Sequence, residues 1–475
     1  MYAKLGVTGQ VGSPPEFETE DRLRIVAFAL AFLLLTLRLD GWKAGNYETL
    51  IQLVLVPYSL LFIFCVVVFL WPGWLKRWLE NHRPGLLAWI DGWNISRLVV
   101  GIGFGFEVIT FGLLILQART FERYDYRLNL WLAGALFLVL AAGFGWFWFS
   151  HFKLEHFFFF VLAAYALVYL LSIVSFPLNV GRSDMLPIMT LSNQNILDGH
   201  FPYSRQFSTI PETGNYLDYF PANVLFYFPG TFLKTDLRFT NLACVLLIAF
   251  ILYKTVDVRA RGPVLALVSL FLLCPFFQYR HDLYETPEWL LLTCFVVVLS
   301  RRKFLWGGFI LGIGLTLTPF NFVLVPFYLL YLLKTYNLGK TVLALVAIGV
   351  GVLLVVGPFL LWSFSDFTNS LVNGLDRKAV VLSTPSVNLA YLVYQVVPLR
   401  FAKIIQTLVL VVVLVMTWRK MKSLADCLAW MTVGLLLFIA LNTYVNGYFY
   451  FFIAFILISQ RFAVNPKEEI KKAGA

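Results

Sequence analysis

The chain has 475 residues, of which 60% are hydrophobic and only 13% charged, with a mean hydropathy of +0.79. That balance excludes a soluble globular protein, because too few polar groups remain to cover a surface of this size. The net charge of +11 would suggest a nucleic-acid partner in a soluble chain, but here Lys and Arg fall in short segments between apolar runs and read as topology signals. No nucleic-acid partner is expected.

The first residues, with Pro14-Pro15 and the acidic Glu16, Glu18, Glu20 and Asp21, lack the pattern of a cleaved signal, so the first apolar run serves as the insertion signal. Apolar runs then follow near 24–38, 49–71, 97–117, 129–149, 156–178, 237–254, 262–277, 287–300, 304–318, 320–333, 341–363, 401–418, 424–441 and 446–461. This predicts an all-α polytopic membrane protein of about fourteen transmembrane helices. Thr318-Pro319 breaks the stretch 304–333 midway, and Arg301-Arg302-Lys303 and Lys334 flank it on both sides, so it reads as a helical hairpin.

Orientation follows from the cations. Lys76, Arg77 and Arg83 occupy one loop, Lys153 another, and Lys254, Arg259 and Arg261 a third; Arg301 to Lys303, Arg419, Lys420, Lys422 and the tail lysines follow. All fall on one side if both termini are cytoplasmic. Arg119, Arg123 and Arg127 are the exception. The assignment predicts a tail 1–23, a four-helix module 24–150, a core 151–400 with outer segments 179–236, 278–286 and 364–400, and closing helices with a cytoplasmic tail over 401–475. Within the outer segments, 217–233 and 387–398 are apolar but too short to span, and read as interfacial helices.

The five cysteines, Cys65, Cys244, Cys274, Cys294 and Cys427, have unrelated spacings and imply neither a disulfide framework nor a zinc site. No internal repeat of the transporter kind is visible. Glu107 stands within an apolar run, either as a proton or ion ligand or as a carboxyl bonded to a neighbouring helix. Gly101, Gly103 and Gly105 lie inside the same run with no strand before them; they let helices approach rather than cradle a phosphate, as do Gly307, Gly308, Gly312 and Gly314.

The longest polar interval runs from Gly181-Arg182-Ser183-Asp184 through Gly199-His200-Phe201-Pro202-Tyr203 to Tyr219-Phe220-Pro221. Asp184 is placed either to accept the proton of an attacking hydroxyl or to cap a helix over 185–197. Arg182, beside it, would hold the carboxylate ionised. Arg280, His281, Arg377 and Lys378 are outer cations suited to a phosphate or to lipid headgroups. Asp218, Asp282, Glu285 and Glu288 are further outer carboxylates able to meet acceptor hydroxyls or a cation. Without an Asp-x-Asp pair, a divalent metal is not expected. Tyr203 and Tyr219 suit either stacking on a sugar face or anchoring at the interface.

Taken together, Asp184, Leu197-Asp198-Gly199-His200-Phe201-Pro202-Tyr203, Tyr219-Phe220-Pro221 and Pro229 resemble the first outer loop of the C-type (GT-C) membrane glycosyltransferases. The nearest likeness is to the polyprenyl-phosphate-mannose-dependent family. The glycine-rich hairpin from Phe304 to Leu333 and Ser386-Val387-Asn388-Leu389 extend the resemblance over roughly 155–400. It implies that Asp184 is the catalytic base, that a polyprenyl-phosphate sugar is the donor with no other cofactor, and that a glycan, glycolipid or protein is the acceptor. It also implies a cell inner or plasma membrane location with the site on the periplasmic or extracellular face. Thr318 departs from the family, whose members often carry Lys before the hairpin proline, so the phosphate needs another cation here. A transporter or flippase, and a polysaccharide ligase or polymerase, are the competing expectations.

Overall fold

In the computed structural model every regular element among the described residues is a helix, the one open-ended element whose backbone can satisfy itself away from water. Apart from short gaps, the described residues are 19–36, 57–117, 126–178, 185–204, 217–272, 285–379 and 389–443. In chain order the helices are α1 (Thr19–Thr36), α2 (Pro72–His82), α3 (Pro84–Asp91), α4 (Ile95–Gln117), α5 (Tyr126–Phe149), α6 (Leu154–Ser175), α7 (Met185–Leu197), α8 (Pro221–Phe232), α9 (Arg238–Thr255) and α10 (Val258–Leu272). Then come α11 (Thr286–Ser300), α12 (Phe304–Leu315), a 3-10 turn (Pro319–Val323), α13 (Leu324–Thr335), α14 (Leu338–Trp362), α15 (Phe364–Ala379), α16 (Leu389–Val396), α17 (Ala402–Lys420) and α18 (Leu424–Ala440).

Among the described residues, four helices are long and apolar enough to cross a membrane: Leu154–Val174, Arg238–Thr255, Leu338–Trp362 and Leu399–Lys420. Shorter apolar helices include Thr286–Ser300, Phe304–Leu315 and Leu424–Ala440. The expected span 446–461 lies outside the described residues. α14 shows why lipid is the fitting solvent. Ala344, Ile348, Gly351, Val355 and Phe359 form its buried stripe, yet the opposite face, with Val346, Val350, Leu353, Leu354 and Leu361, is equally apolar and exposed.

The hairpin is formed as the sequence predicts, with its break at Thr316-Leu317-Thr318. The limbs run antiparallel: the Tyr328 hydroxyl of α13 donates to the Phe304 carbonyl at the start of α12, and the Phe304 and Tyr336 rings meet at 6.0 Å. α12 lies against α14 through glycine. A Cβ on Gly308 would stand 2.7 Å from the Ala344 carbonyl oxygen, and one on Gly312 or Gly351 would come closer still to the Ile348 or Phe309 oxygen. Backbone meets backbone here, the close approach that small residues four apart permit.

The hairpin base is held at the cationic end of the bundle. The Lys334 ammonium donates to the carbonyls of Trp418 and Met421 between α17 and α18, and α18 opens with a capping box in which Ser423 and Asp426 exchange bonds. Arg301 to Lys303, Lys334, Arg419, Lys420 and Lys422 thus share the base end, as the charge pattern requires. The N-terminal helices are packed onto the core: α4 lies on α10, where a Cβ on Gly103 would meet Leu270 at 2.6 Å.

Two segments read as loops are helical. Residues 72–91 form α2 and α3, and 364–379 form α15. α2 and α15 are strongly amphipathic, with polar and apolar faces that a search for continuous apolar runs passes over.

Candidate functional site

At the opposite end, where the hairpin turns, α8 meets the break, α7 and α9 pack on α8, and α11 packs on α9. The Gly199-His200-Phe201-Pro202-Tyr203 turn is built from the end of α7. Gly199 has φ +74, the left-handed conformation that favours glycine. It lets the His200 amide donate to the Asn195 carbonyl (2.8 Å) and the Gly199 amide to that of Ile196 (3.1 Å), the paired bonds that end a helix. The chain then swings so that Tyr203 is buried, only 1% exposed. Its ring meets Phe367 and Phe359 edge-on at 4.9 and 5.7 Å, and its hydroxyl donates to the Tyr219 carbonyl at 2.8 Å. Tyr203 and Tyr219 therefore form the body of the loop, tying the turn to the segment that starts α8. Replacing Tyr203 by Phe removes the hydroxyl that donates to the Tyr219 carbonyl. The expected loss is about 1–3 kcal/mol of stability, read as a lowered melting temperature of the purified protein.

α8 docks onto the hairpin break through its first turn. The Ala222 amide donates to the Thr316 carbonyl (3.1 Å) and the Asn223 amide group to that of Leu317 (2.6 Å). From within the hairpin the Asn321 side chain donates to the Gly314 carbonyl (2.7 Å), and the Thr318 hydroxyl caps the 3-10 turn. A helix end inside an apolar bundle leaves carbonyls without partners, and these contacts satisfy them. Polar residues placed among apolar ones, Asn223 and Asn321, thus stabilise the break that Pro319 initiates.

A second polar layer adjoins the first. Asn241 of α9 accepts from the hydroxyls of Tyr227 and Thr286, linking α8, α9 and α11. Glu285 and Glu288, expected as outer carboxylates, are 1% and 2% exposed at the start of α11. The Glu-Thr-Pro-Glu order ahead of an apolar run marks a helix start, and the helix dipole favours acidic groups there. Glu288 faces Asn321. Among the described residues, Glu288 Oε1, Asn321 Oδ1 and both ends of the Asn193 amide have no hydrogen-bond partner although all are buried. Buried polar atoms without partners are rare enough to indicate a water or ligand contact.

Among the described residues, Arg238 is a buried cation at this end. It pairs with Asp236 at 2.7 Å and donates to the carbonyls of Ser172 and Ile173 at the end of α6, so it is fully engaged in capping that helix. Ser370 of α15 donates to the Leu217 carbonyl at 2.6 Å, closing α15 over the loop. Tyr394 of α16 donates to the Leu441 carbonyl at 3.2 Å beyond α18, and burial raises its phenol above the usual range.

Asp184, Arg182, Asp218, Arg280, His281 and Asp282 lie outside the described residues; α7 begins one position after Asp184. Arg377 and Lys378 fall in the last turn of α15, with side chains outside the described set, as is that of Glu107. The structure thus brings Tyr203 and Tyr219 together, and adds a separate polar layer of Asn223, Asn241, Glu285, Glu288 and Asn321 at the same end. An asparagine inside an apolar run is the sequence signal for the last group, since its amide must find partners there. No family model matches this chain, and neither a curated protein nor a solved structure shows significant similarity to it.

Proposed function

We propose that the chain is a polytopic membrane glycosyltransferase of the C-type architecture, with about fourteen spans. In this reading it transfers a single sugar, a mannose-like hexose, from polyprenyl phosphate to a glycan, glycolipid or protein acceptor. The membrane is the cell inner or plasma membrane, with both termini cytoplasmic and the hairpin-tip end on the non-cytoplasmic face. Asp184 takes the proton of the acceptor hydroxyl as its oxygen attacks the sugar C1. The C1–O bond to phosphate breaks with inversion, and polyprenyl phosphate leaves. Arg182, Arg280, His281, Arg377 and Lys378 are the candidates to hold its charge. Asp218, Asp282, Tyr203 and Tyr219 belong to the acceptor side of the loop, the tyrosines by shaping it.

The observation that carries the reading is the bond from Tyr203 to the Tyr219 carbonyl. It joins the two parts of the loop resemblance into one unit, directly after the helix that follows Asp184. The test is incubation of the purified protein with a panel of polyprenyl-phosphate hexoses and a glycan acceptor. Polyprenyl monophosphate and a product longer by one sugar are expected, most with a mannose-like donor. Transfer of a preassembled oligosaccharide from a polyprenyl diphosphate would instead identify a ligase or polymerase.

The buried Glu288, Asn321 and Asn193 atoms favour a second reading, a transporter or flippase whose cargo meets polar groups inside the bundle. Movement of lipid-linked sugar across proteoliposomes with no transfer product would select it.

A further inference from the structure

At the base end, α2 has three distinct faces. Leu79 is buried and Leu75 half-buried against the protein, while Trp74 and Trp78, one turn apart, are 50% and 44% exposed. The remaining arc carries Lys76 and Arg77, and Arg83 follows at the junction with α3. Lys76 approaches Glu80 at 3.9 Å, and the Arg77 guanidinium donates to the Gly73 carbonyl at 3.2 Å. Neither Arg77 nor Arg83 meets a carboxylate among the described residues. The helix is fixed at the level of the hairpin base: Trp71, just before it, meets Trp430 in the second turn of α18 edge-on at 6.5 Å. Gly73 sits beside Glu20 at the start of α1.

Two solvent-facing indole rings are costly against water and favourable at the boundary between hydrocarbon and headgroups, where an indole has both apolar and polar surroundings. Cations along the same helix add attraction for one class of headgroup. We propose that α2 lies in the membrane plane as a docking surface for anionic phospholipids, with Trp74 and Trp78 seated among the headgroups and Lys76, Arg77 and Arg83 at the level of the phosphates. The occupant is lipid rather than a protein helix because Arg77 flanks the tryptophans, and because the same end gathers Arg301, Arg302, Lys303, Lys334, Lys340, Arg419 and Lys420. This summed positive field complements an anionic leaflet. The surface lies apart from the hairpin-tip site and does not depend on the sugar-transfer reading.

The full chain is reconstituted as single copies in nanodiscs containing either brominated phosphatidylglycerol or brominated phosphatidylcholine, and tryptophan quenching is compared. A preference for the anionic lipid of about twofold or more is expected, since each cation near such a surface multiplies attraction roughly fivefold. The difference should shrink in W74F/W78F, which removes the reporting rings, and shrink likewise in K76Q/R77Q/R83Q, which keeps them. The exposed charge variant is checked for an unchanged melting temperature. Equal quenching by the two lipids in the wild type overturns the proposal. An unchanged difference in W74F/W78F also overturns it, and would mean that the anionic lipid is recognised elsewhere.

Discussion

Replacing Asp184 by Asn is expected to slow sugar transfer by about 10²- to 10⁴-fold, the usual contribution of a positioned general base. The substitution preserves size and hydrogen-bonding shape but removes the proton acceptor. The acceptor hydroxyl then has to lose its proton to water as it attacks. The effect should fall on kcat with little change in KM for the lipid donor, because the proposed mechanism assigns donor binding to the phosphate cations and not to this carboxylate. Asp198 supplies the matching control. It is exposed at the end of α7 and accepts only a 3.3 Å bond from Gln194, so Asp198→Asn should retain activity. Wild-type turnover of the Asp184 variant, with lipid-linked sugar supplied, would remove the residue from the mechanism.

Gly312→Val is expected to prevent stable assembly of the core. Even a single Cβ at this position would fall under 3.0 Å from the Ile348 carbonyl oxygen and 3.0 Å from the adjoining carbonyl carbon and Cα of α14. The obstacle is backbone, which cannot turn aside as a flexible side chain would. α12 and α14 would have to separate, which also loosens the neighbouring contacts at Gly308 and Gly351. Overpacking one methylene typically costs about 1–3 kcal/mol, and a branched side chain against a fixed carbonyl should exceed that range. Lost monodispersity in detergent, or a sharply lowered melting temperature, would register it. Gly349 and Gly357, with nothing within 4 Å of an added Cβ, should accept Ala without such loss.

Elements whose cause is local were legible in the sequence. The semi-apolar run 185–197 is α7, residue for residue, and α8 and α16 fall within the short apolar stretches 217–233 and 387–398. The hairpin break falls where Pro319 removes a donor. What stayed hidden depends on contacts distant in sequence. Glu285 and Glu288 read as outer carboxylates because hydropathy places them at the edge of a run, yet α8, α9 and the hairpin cover them from positions far along the chain. Asn223 is explained only by the Leu317 carbonyl, 94 residues away. The faces of α2 were likewise obscured, because its cations alone suffice for a topology argument and its tryptophans add nothing to a hydropathy average.

The short first limb of the hairpin sets a depth. Twelve residues of α12 rise about 18 Å, whereas the hydrocarbon of a bilayer is about 30 Å thick. The 25 residues of α14 extend about 37 Å and pass well beyond the break. With the base cations at one headgroup plane, the buried polar layer of Asn223, Glu288 and Asn321 lies within the depth of the bilayer rather than at its surface, under the cover of α8. The short limb thus ends at a level where lipid offers its backbone no hydrogen bond, so the partners must come from the protein itself.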